Sequence, residues 1–152
     1  AALGRRWLLQ QQAEEAFFLP LYNGASSPED GYMECENQLH ELIDQLDVAV
    51  MGMGLDGHTA SWFPHSPALN HLLDEQGGAW CYPVMEQTPA RMSLTWGLIA
   101  RCAHVYLHFE GDKKNSTYEQ ACDETQQQDL HVMPVRTLLF QSQVPTSIYR
   151  SS

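Results

Sequence analysis

A chain of 152 residues is the size of one domain, and its 43% hydrophobic and 10% aromatic content is typical of a globular protein. Eight Lys and Arg against 19 Asp and Glu give a formal net charge of −11, which argues against nucleic-acid binding and against anionic membrane surfaces. No apolar run approaches the ~18 residues of a membrane span, and the first dozen residues do not resemble a secretion signal.

The four cysteines lie far apart and form no C-x-x-C pair; they are Cys35, Cys81, Cys102 and Cys122. We interpret them as the reduced thiols of a cytoplasmic protein, because nothing in the sequence indicates secretion. A structural zinc site needs clustered ligands, so these positions predict no bound metal.

The first third of the chain predicts helix, loop, helix and strand. Residues 1–15 carry an amphipathic helical pattern, and residues 17–22 form a short strand or extended segment. Ser27 and Pro28 begin a second helix, which continues to Leu46. Residues 47–54 are apolar without alternation, a pattern typical of a strand that is covered on both faces.

The remaining elements alternate between strand and helix. Strands are expected at 80–85, 91–95, 104–111 and 146–150, with helix at 112–124 and a helical turn at 134–140. This order predicts an α/β fold of the Rossmann-like kind, with a largely parallel sheet and helices on both of its faces. The chain opens inside a helix with no strand before it, so we expect residues 1–152 to form a single partial domain, truncated at its amino-terminal side.

Three glycines after the first predicted strand match G-x-G-x-x-G, the spacing of a dinucleotide-binding loop; they are Gly52, Gly54 and Gly57. That loop must open a helix of a dozen or so residues, so that a pyrophosphate lies at the helix N-terminus. Pro64 and Pro67 would end any helix that starts at His58 within about two turns. The spacing alone is a weak signal, and we predict no dinucleotide cofactor.

The same segment, GMGLDGHTASWFP (52–64), closely resembles the signature of the 6-phosphogluconolactonases. Three later segments resemble that family in the family's order: PARMSLT (89–95), GDKK (111–114) and PVRTLL (134–139). The resemblance implies the fold shared with glucosamine-6-phosphate deaminases and ribose-5-phosphate isomerases. It also implies hydrolysis of 6-phospho-D-glucono-1,5-lactone to 6-phosphogluconate in the oxidative pentose phosphate pathway, without metal or organic cofactor. The first strand and phosphate loop of the family have no counterpart in this sequence.

His58 follows a glycine turn at the carboxyl end of a predicted strand, which is where open α/β sheets place ligands. Residue type alone leaves open a structural role, whereas the resemblance implies that His58 activates the attacking water. Asp56 either orients the imidazole or only forms the turn. Gly54 and Gly57 are expected to let substrate approach the backbone, with free N–H groups facing an oxyanion. Thr59 either contacts substrate or serves capping and packing.

Arg91 and Lys114 are our candidates for binding the phosphate, because each lies in a family-like segment of a chain that is poor in positive charge. Lys113 is expected to be a solvated neighbour. Arg136 also has a family-like context, and packing explains it equally well. The expected partner is therefore a small sugar-phosphate lactone, and the sequence leaves the oligomeric state open.

Two alternative functions stay open. The deaminases have a related D-G-H-I-A loop, but an acidic residue precedes their proline where this chain has Ser61-Trp62-Phe63-Pro64. That difference favours the lactonase over a deaminase or isomerase. The other alternative is a non-catalytic fragment that binds a sugar phosphate without hydrolysing a lactone.

Overall fold

The computed structural model describes residues 2–123, 125 and 129–152. Strands β1 (Val48–Gly52), β4 (His104–Glu110) and β5 (Thr146–Ser151) form a parallel sheet in the order β1-β4-β5. Strands β2 (Cys81–Val84) and β3 (Arg91–Leu94) form a separate antiparallel hairpin. The five predicted strands after residue 46, and with them the α/β class, are confirmed.

The α-helices of the described residues are α1 (Ala2–Trp7), α2 (Pro28–Leu42), α3 (Leu69–Leu72), α4 (Trp96–Ile99), α5 (Asp112–Ala121) and α6 (Arg136–Leu139). Ser27 caps α2 through its hydroxyl, which accepts the N–H of Asp30, and proline occupies the first turn, as the sequence predicts. None of the helices in the described ranges has the length and apolar character needed to cross a membrane. The predicted end of α5 at residue 124 lies outside the described residues.

The amino-terminal elements differ from the prediction. The helix expected over residues 1–15 ends at Trp7, and a short 3₁₀ turn follows at Gln11–Ala13, where Gln11 has a left-handed φ of 53°. Residues 17–22 belong to neither sheet. Helix α2 ends four residues earlier than predicted, because Ile43 is already extended.

The expectation that both faces of the sheet are covered is wrong. Along β1, Ala49 and Met51 are buried, while Val48 and Val50 on the other face are exposed, Val50 by 73%. The buried face packs against residues of the helices and loops in one large core: Trp62, Leu69, Leu72, Trp96, Ile99, Ala121, Val135 and Leu138. Nothing among the described residues covers the opposite face. Strand β1 is therefore exposed on one face, although its residues are apolar on both.

A buried carboxylate joins α2 to the hairpin. Glu36 accepts the backbone N–H of Trp80 at 2.8 Å and that of Cys81 at 2.9 Å. His40, one turn further along α2, lies 2.9 Å from the same carboxylate, and its ring packs on Trp80 with centroids 3.9 Å apart. These contacts fix the start of β2, and the hairpin in turn contacts the loop that follows β1.

The cysteines carry free thiols, as expected. Burial raises the pKa of Cys35, Cys81 and Cys102 above the ordinary thiol value. Fewer thiolates form as a result, so these side chains act as small apolar groups of the core.

We expect Glu36→Gln to lower the free energy of unfolding by about 1.5–3 kcal/mol, the value of a hydrogen bond to a charged group. The amide nitrogen of glutamine would face a backbone N–H, so one of the two donors would lose its acceptor. Denaturant unfolding followed by circular dichroism measures the change. Glu41→Gln, at an exposed position of the same helix, is the matched control. Equal stability of the two variants would contradict the role given to Glu36.

Candidate active site

The loop after β1 closes on itself through backbone hydrogen bonds. The N–H of Gly54 donates to the carbonyl of His58 at 2.8 Å, and the N–H of Gly57 donates to the carbonyl of Gly54 at 3.1 Å. Gly57 has a φ of 80°, which a residue with a side chain rarely adopts. The expectation that the N–H groups of Gly54 and Gly57 are free for an oxyanion is therefore wrong, because both are used to form the loop.

No helix begins at His58. Ala60 and His65 have left-handed φ values of 48° and 58°, and Pro64 lacks the N–H that a helix needs. The chain runs as turns until α3 begins at Leu69. A dinucleotide loop would need a long helix here, so the structure agrees with the sequence in arguing against that site.

Asp56 binds His58 in two ways. Its Oδ1 accepts the backbone N–H of His58 at 3.2 Å, which forms a local turn, and lies 2.6 Å from Nδ1 of the same residue's imidazole. Both roles considered for Asp56, turn formation and orientation of the ring, are therefore present together. The side chain of His58 is 32% exposed, so its ring is held in place and yet open to solvent.

The charge of Asp56 decides which nitrogen of His58 is free. Burial alone would raise the pKa of Asp56, but the hydrogen bonds from the backbone and ring of His58 outweigh it and lower that pKa below its ordinary value. An ionised carboxylate only accepts hydrogen bonds, so Nδ1 carries the hydrogen. In the neutral ring Nε2 is then an unprotonated nitrogen that can accept a proton.

The lowered pKa of Asp56 also bears on stability. A carboxyl group whose pKa falls on folding stabilises the native state at pH values above its unfolded pKa. That contribution disappears as the pH falls through the lower, folded pKa. The pair of Asp56 and His58 is therefore formed with an ionised carboxylate throughout the neutral range.

Two neighbours confine the imidazole. Phe63, which packs partly on the main core, has its ring centroid 4.7 Å from that of His58. On another side lies Gly54, where a Cβ would collide with Nδ1 and Cε1 of His58 and would come within 2.7 Å of Oδ1 of Asp56. The glycine at position 54 thus makes room for the ring of this chain itself, a role that its place in G-x-G-x-x-G does not reveal.

The loop is anchored to the core on several sides. The N–H of Val135 donates to the carbonyl of Gly57 at 2.9 Å, and Met133 packs where a Cβ of Gly57 would be. Nε1 of the buried Trp62 donates to the carbonyl of Leu94 in β3 at 2.8 Å. These contacts explain why the backbone around His58 keeps an irregular path.

Thr59 has a structural role. Its side chain is fully buried, and its hydroxyl donates to the carbonyl of Gly52 at 2.8 Å. Of the two alternatives for this residue, packing within the loop is the one that these contacts support.

The basic residues lie in three different settings. Lys114 is in the first turn of α5, which follows β4 at the same sheet edge as the His58 loop, and its side chain is half-buried. Arg91 is exposed, donates to the carbonyl of Pro89 at 2.7 Å and borders a cavity of about 430 Å³ beside the start of α2. Arg136 is 1% exposed and donates to the carbonyls of Gln120, Ala121 and Asp129.

These contacts distinguish the roles of the basic residues. Packing accounts for Arg136, whose guanidinium binds the carbonyls at the end of α5. None of the described contacts brings Arg91 to His58, and its role in phosphate binding stays a prediction. The part of the chain that the structure describes contains no group of three His, Cys, Asp or Glu side chains that could hold a metal ion.

Sequence reasoning missed the residues that hold the site together, chiefly Phe63, Met133 and Thr117. The hydroxyl of Thr117 in α5 donates to the carbonyl of Leu55, 62 residues earlier. Phe63 belongs to the conspicuous segment around His58, and that nearness was the only available signal. The other two contacts join segments far apart in sequence, and local patterns carry no information about them.

The chain is similar to known proteins of one family. Residues 1–146 match the family described as Glucosamine-6-phosphate isomerases/6-phosphogluconolactonase. A 6-phosphogluconolactonase of Pseudomonas aeruginosa is 38% identical over 141 residues, which are 91% of this chain and 58% of that protein. One from Mesorhizobium japonicum is 40% identical over 116 residues, 75% of this chain and 49% of that protein.

The fold agrees with a solved structure as well. The crystal structure of a 6-phosphogluconolactonase from Shewanella baltica superimposes with a TM-score of 0.90 and 37% identity, over 99% of this chain and 63% of that one. The chain thus spans about half to three-fifths of the length of the relatives it matches.

We expect Gly54→Ala to turn the imidazole away from Asp56 while the fold persists. The added Cβ would displace the side chain of His58, which is partly exposed and can rotate. Alanine also has less conformational entropy than glycine in the unfolded chain, and this favours folding by about 0.4–1 kcal/mol. The pKa of Asp56 should then rise, because hydrogen bonds from His58 are what lower it. An NMR titration of the Asp56 carboxyl carbon measures this.

Gly52→Ala is the control for that experiment. A Cβ at Gly52 would meet its nearest neighbour, the carbonyl of His108, at an ordinary 3.9 Å. The titration of Asp56 should therefore stay close to that of the unchanged protein. An unshifted Asp56 in Gly54→Ala would show that the ring tolerates the added methyl group.

Proposed function

The chain belongs to the glucosamine-6-phosphate isomerase/6-phosphogluconolactonase family, and on that basis we propose that the protein hydrolyses 6-phospho-D-glucono-1,5-lactone to 6-phosphogluconate. The observation that carries this proposal is the contact of Nδ1 of His58 with an ionised Asp56, which leaves Nε2 of a partly exposed ring as the proton acceptor. The reaction places the protein in the oxidative pentose phosphate pathway, and we propose a cytoplasmic location.

His58 would act first as a base and then as an acid. Nε2 takes a proton from water as the water oxygen bonds to the lactone carbonyl carbon. The tetrahedral intermediate then collapses, the bond between that carbon and the ring oxygen breaks, and the imidazolium returns its proton to the ring oxygen. Ionised Asp56 stabilises the imidazolium between the two steps and keeps the ring oriented. The carboxylic acid formed loses its own proton to solvent.

Lys114 would bind the phosphate. It is a cation on the first turn of α5, and its ammonium forms no hydrogen bond or ion pair with the residues that the structure describes. A free ammonium in a chain with a net charge of −11 is suited to a doubly charged phosphate. Arg91 is kept as a second candidate, which would have to reach the substrate from the hairpin.

We expect His58→Asn to lower kcat by about 10²–10⁴-fold with little change in KM, because asparagine keeps a polar side chain but cannot accept the proton. Steady-state rates, corrected for spontaneous lactone opening, measure the change.

The matched control for His58 is His131→Asn, at an exposed position of a turn. It should retain kcat. A near-normal rate for His58→Asn after the correction would refute the mechanism while leaving family membership intact. Turnover of glucosamine 6-phosphate by the unchanged protein would instead favour the deaminase alternative, and binding without turnover of either compound would favour a non-catalytic module.

We expect Lys114→Ala to weaken binding of the phosphorylated lactone by about 1.5–3 kcal/mol, the value of a hydrogen bond to a charged group. The loss should appear mainly in KM, because the phosphate is remote from the reacting carbon. Kinetics with 6-phosphogluconolactone and with the unphosphorylated glucono-1,5-lactone separate the two contributions. Lys113→Ala, at the exposed neighbouring position, is the control. Equal losses for both lactones would show that Lys114 does not bind the phosphate.

A further inference from the structure

We propose that Thr117 is a positioning residue, whose hydroxyl sets the distance between the phosphate-binding Lys114 and the loop that carries His58. The proposal rests on the proposed function, since it assumes an anion at Lys114 and a reacting carbon at His58. It assigns to Thr117 no contact with the substrate itself.

The first observation is a hydrogen bond between two segments far apart in sequence. Oγ1 of Thr117 lies 3.0 Å from the carbonyl oxygen of Leu55, and Thr117 is only 8% exposed. Leu55 stands between Gly54 and Asp56, inside the closed loop, while its own side chain is 59% exposed. The bond therefore connects α5 directly to the backbone that presents His58.

The second observation is the spacing along α5. Lys114 and Thr117 are three residues apart in the helix Asp112–Ala121, so they lie on the same face. Because Thr117 contacts the loop, that face is turned towards the loop. Cα–Cβ bonds on a helix tilt towards its N-terminus, and the N-terminus of α5 follows β4 at the sheet edge where β1 also ends.

The third observation is that the Thr117 hydroxyl has a second acceptor and that the loop has other anchors. The same hydroxyl lies 3.1 Å from the carbonyl of Lys113, one turn back in the helix, so its single hydrogen is shared between the two acceptors. Among the described residues, the loop is also hydrogen-bonded to β3 and to residue 135. Removing the hydroxyl therefore frees the helix relative to the loop and leaves the loop itself closed.

A shift of α5 relative to the loop affects only substrates that contact both Lys114 and His58. When the phosphate is held at Lys114, a displacement of about 1 Å between helix and loop moves the lactone carbonyl away from His58, and such misplacements can cost up to about 10²-fold in rate. A lactone without a phosphate is not tied to Lys114, so its rate should not depend on that spacing.

The test is a double-mutant cycle in the encoded protein. Thr117→Val has the same shape and β-branching but no hydroxyl, and it should lower kcat/KM for 6-phosphogluconolactone by about tenfold. The loss for glucono-1,5-lactone should be less than about twofold. In the Lys114→Ala background, Thr117→Val should have almost no further effect. Thr117→Ser restores a hydroxyl and should recover most of the rate.

The possible outcomes separate this proposal from the proposed function. Equal losses for both lactones, equal losses with and without Lys114, or no recovery in Thr117→Ser would assign Thr117 a purely structural role and overturn the proposal. If the unchanged protein does not accelerate hydrolysis, the proposed function fails, and the same cycle is measured by calorimetry on the binding of 6-phosphogluconate. Additive binding losses, or absence of binding by the unchanged protein, would then overturn the positioning role.

Discussion

The arrangement of the site depends on one backbone hydrogen bond, from the N–H of Gly54 to the carbonyl of His58. It closes a five-residue ring in which Asp56 lies opposite the imidazole, so the carboxylate and the ring meet without help from another segment. A side chain at position 54 would occupy the space of that imidazole. Local geometry therefore brings the carboxylate of Asp56 and the imidazole of His58 together within three residues, and the rest of the fold has only to hold this loop in place.

The core holds the ring through contacts of different kinds. Trp62 is buried and hydrogen-bonded to β3, and Val135 and Met133 approach Gly57 from the segment before α6. The hairpin that receives Trp62 is itself fixed by Glu36 in α2. A buried carboxylate without partners would be costly, so Glu36 keeps its hydrogen bonds to the start of β2. By fixing the hairpin, Glu36 contributes indirectly to the rigidity of the loop. The stability of the site is thus spread over segments that contain none of its chemistry.

The sequence predicted the strands well because their apolar runs and bounding glycines are local signals. The residues alone left open whether His58 has only a structural role. The family resemblance added the prediction that it activates water. The expectation of free N–H groups at Gly54 and Gly57 was wrong, because both donate within the loop. Hydrogen bonds in an irregular loop follow from dihedral angles that residue types do not specify. The bond from Thr117 to Leu55 could not be predicted either, since it depends on how α5 lies against the loop. The exposed face of β1 shows the limit of pattern reading, because Val50 is apolar whether or not anything covers it.

The acidity of the chain sets a physical constraint on the proposed phosphate site. At physiological ionic strength charges farther apart than about 8 Å are largely screened, so the formal charge of −11 repels an anionic substrate only weakly at long range. In the proposed reaction, the nearest charged groups would set the electrostatic balance: an ammonium at Lys114 and a carboxylate at Asp56. Hydrolysis would add a negative charge to the sugar at the carbon attacked beside His58, which would be the end near Asp56. The phosphate end would then be attracted before and after the reaction, whereas the other end would be repelled only in the product, and this asymmetry would favour release of the product from the end where the chemistry takes place.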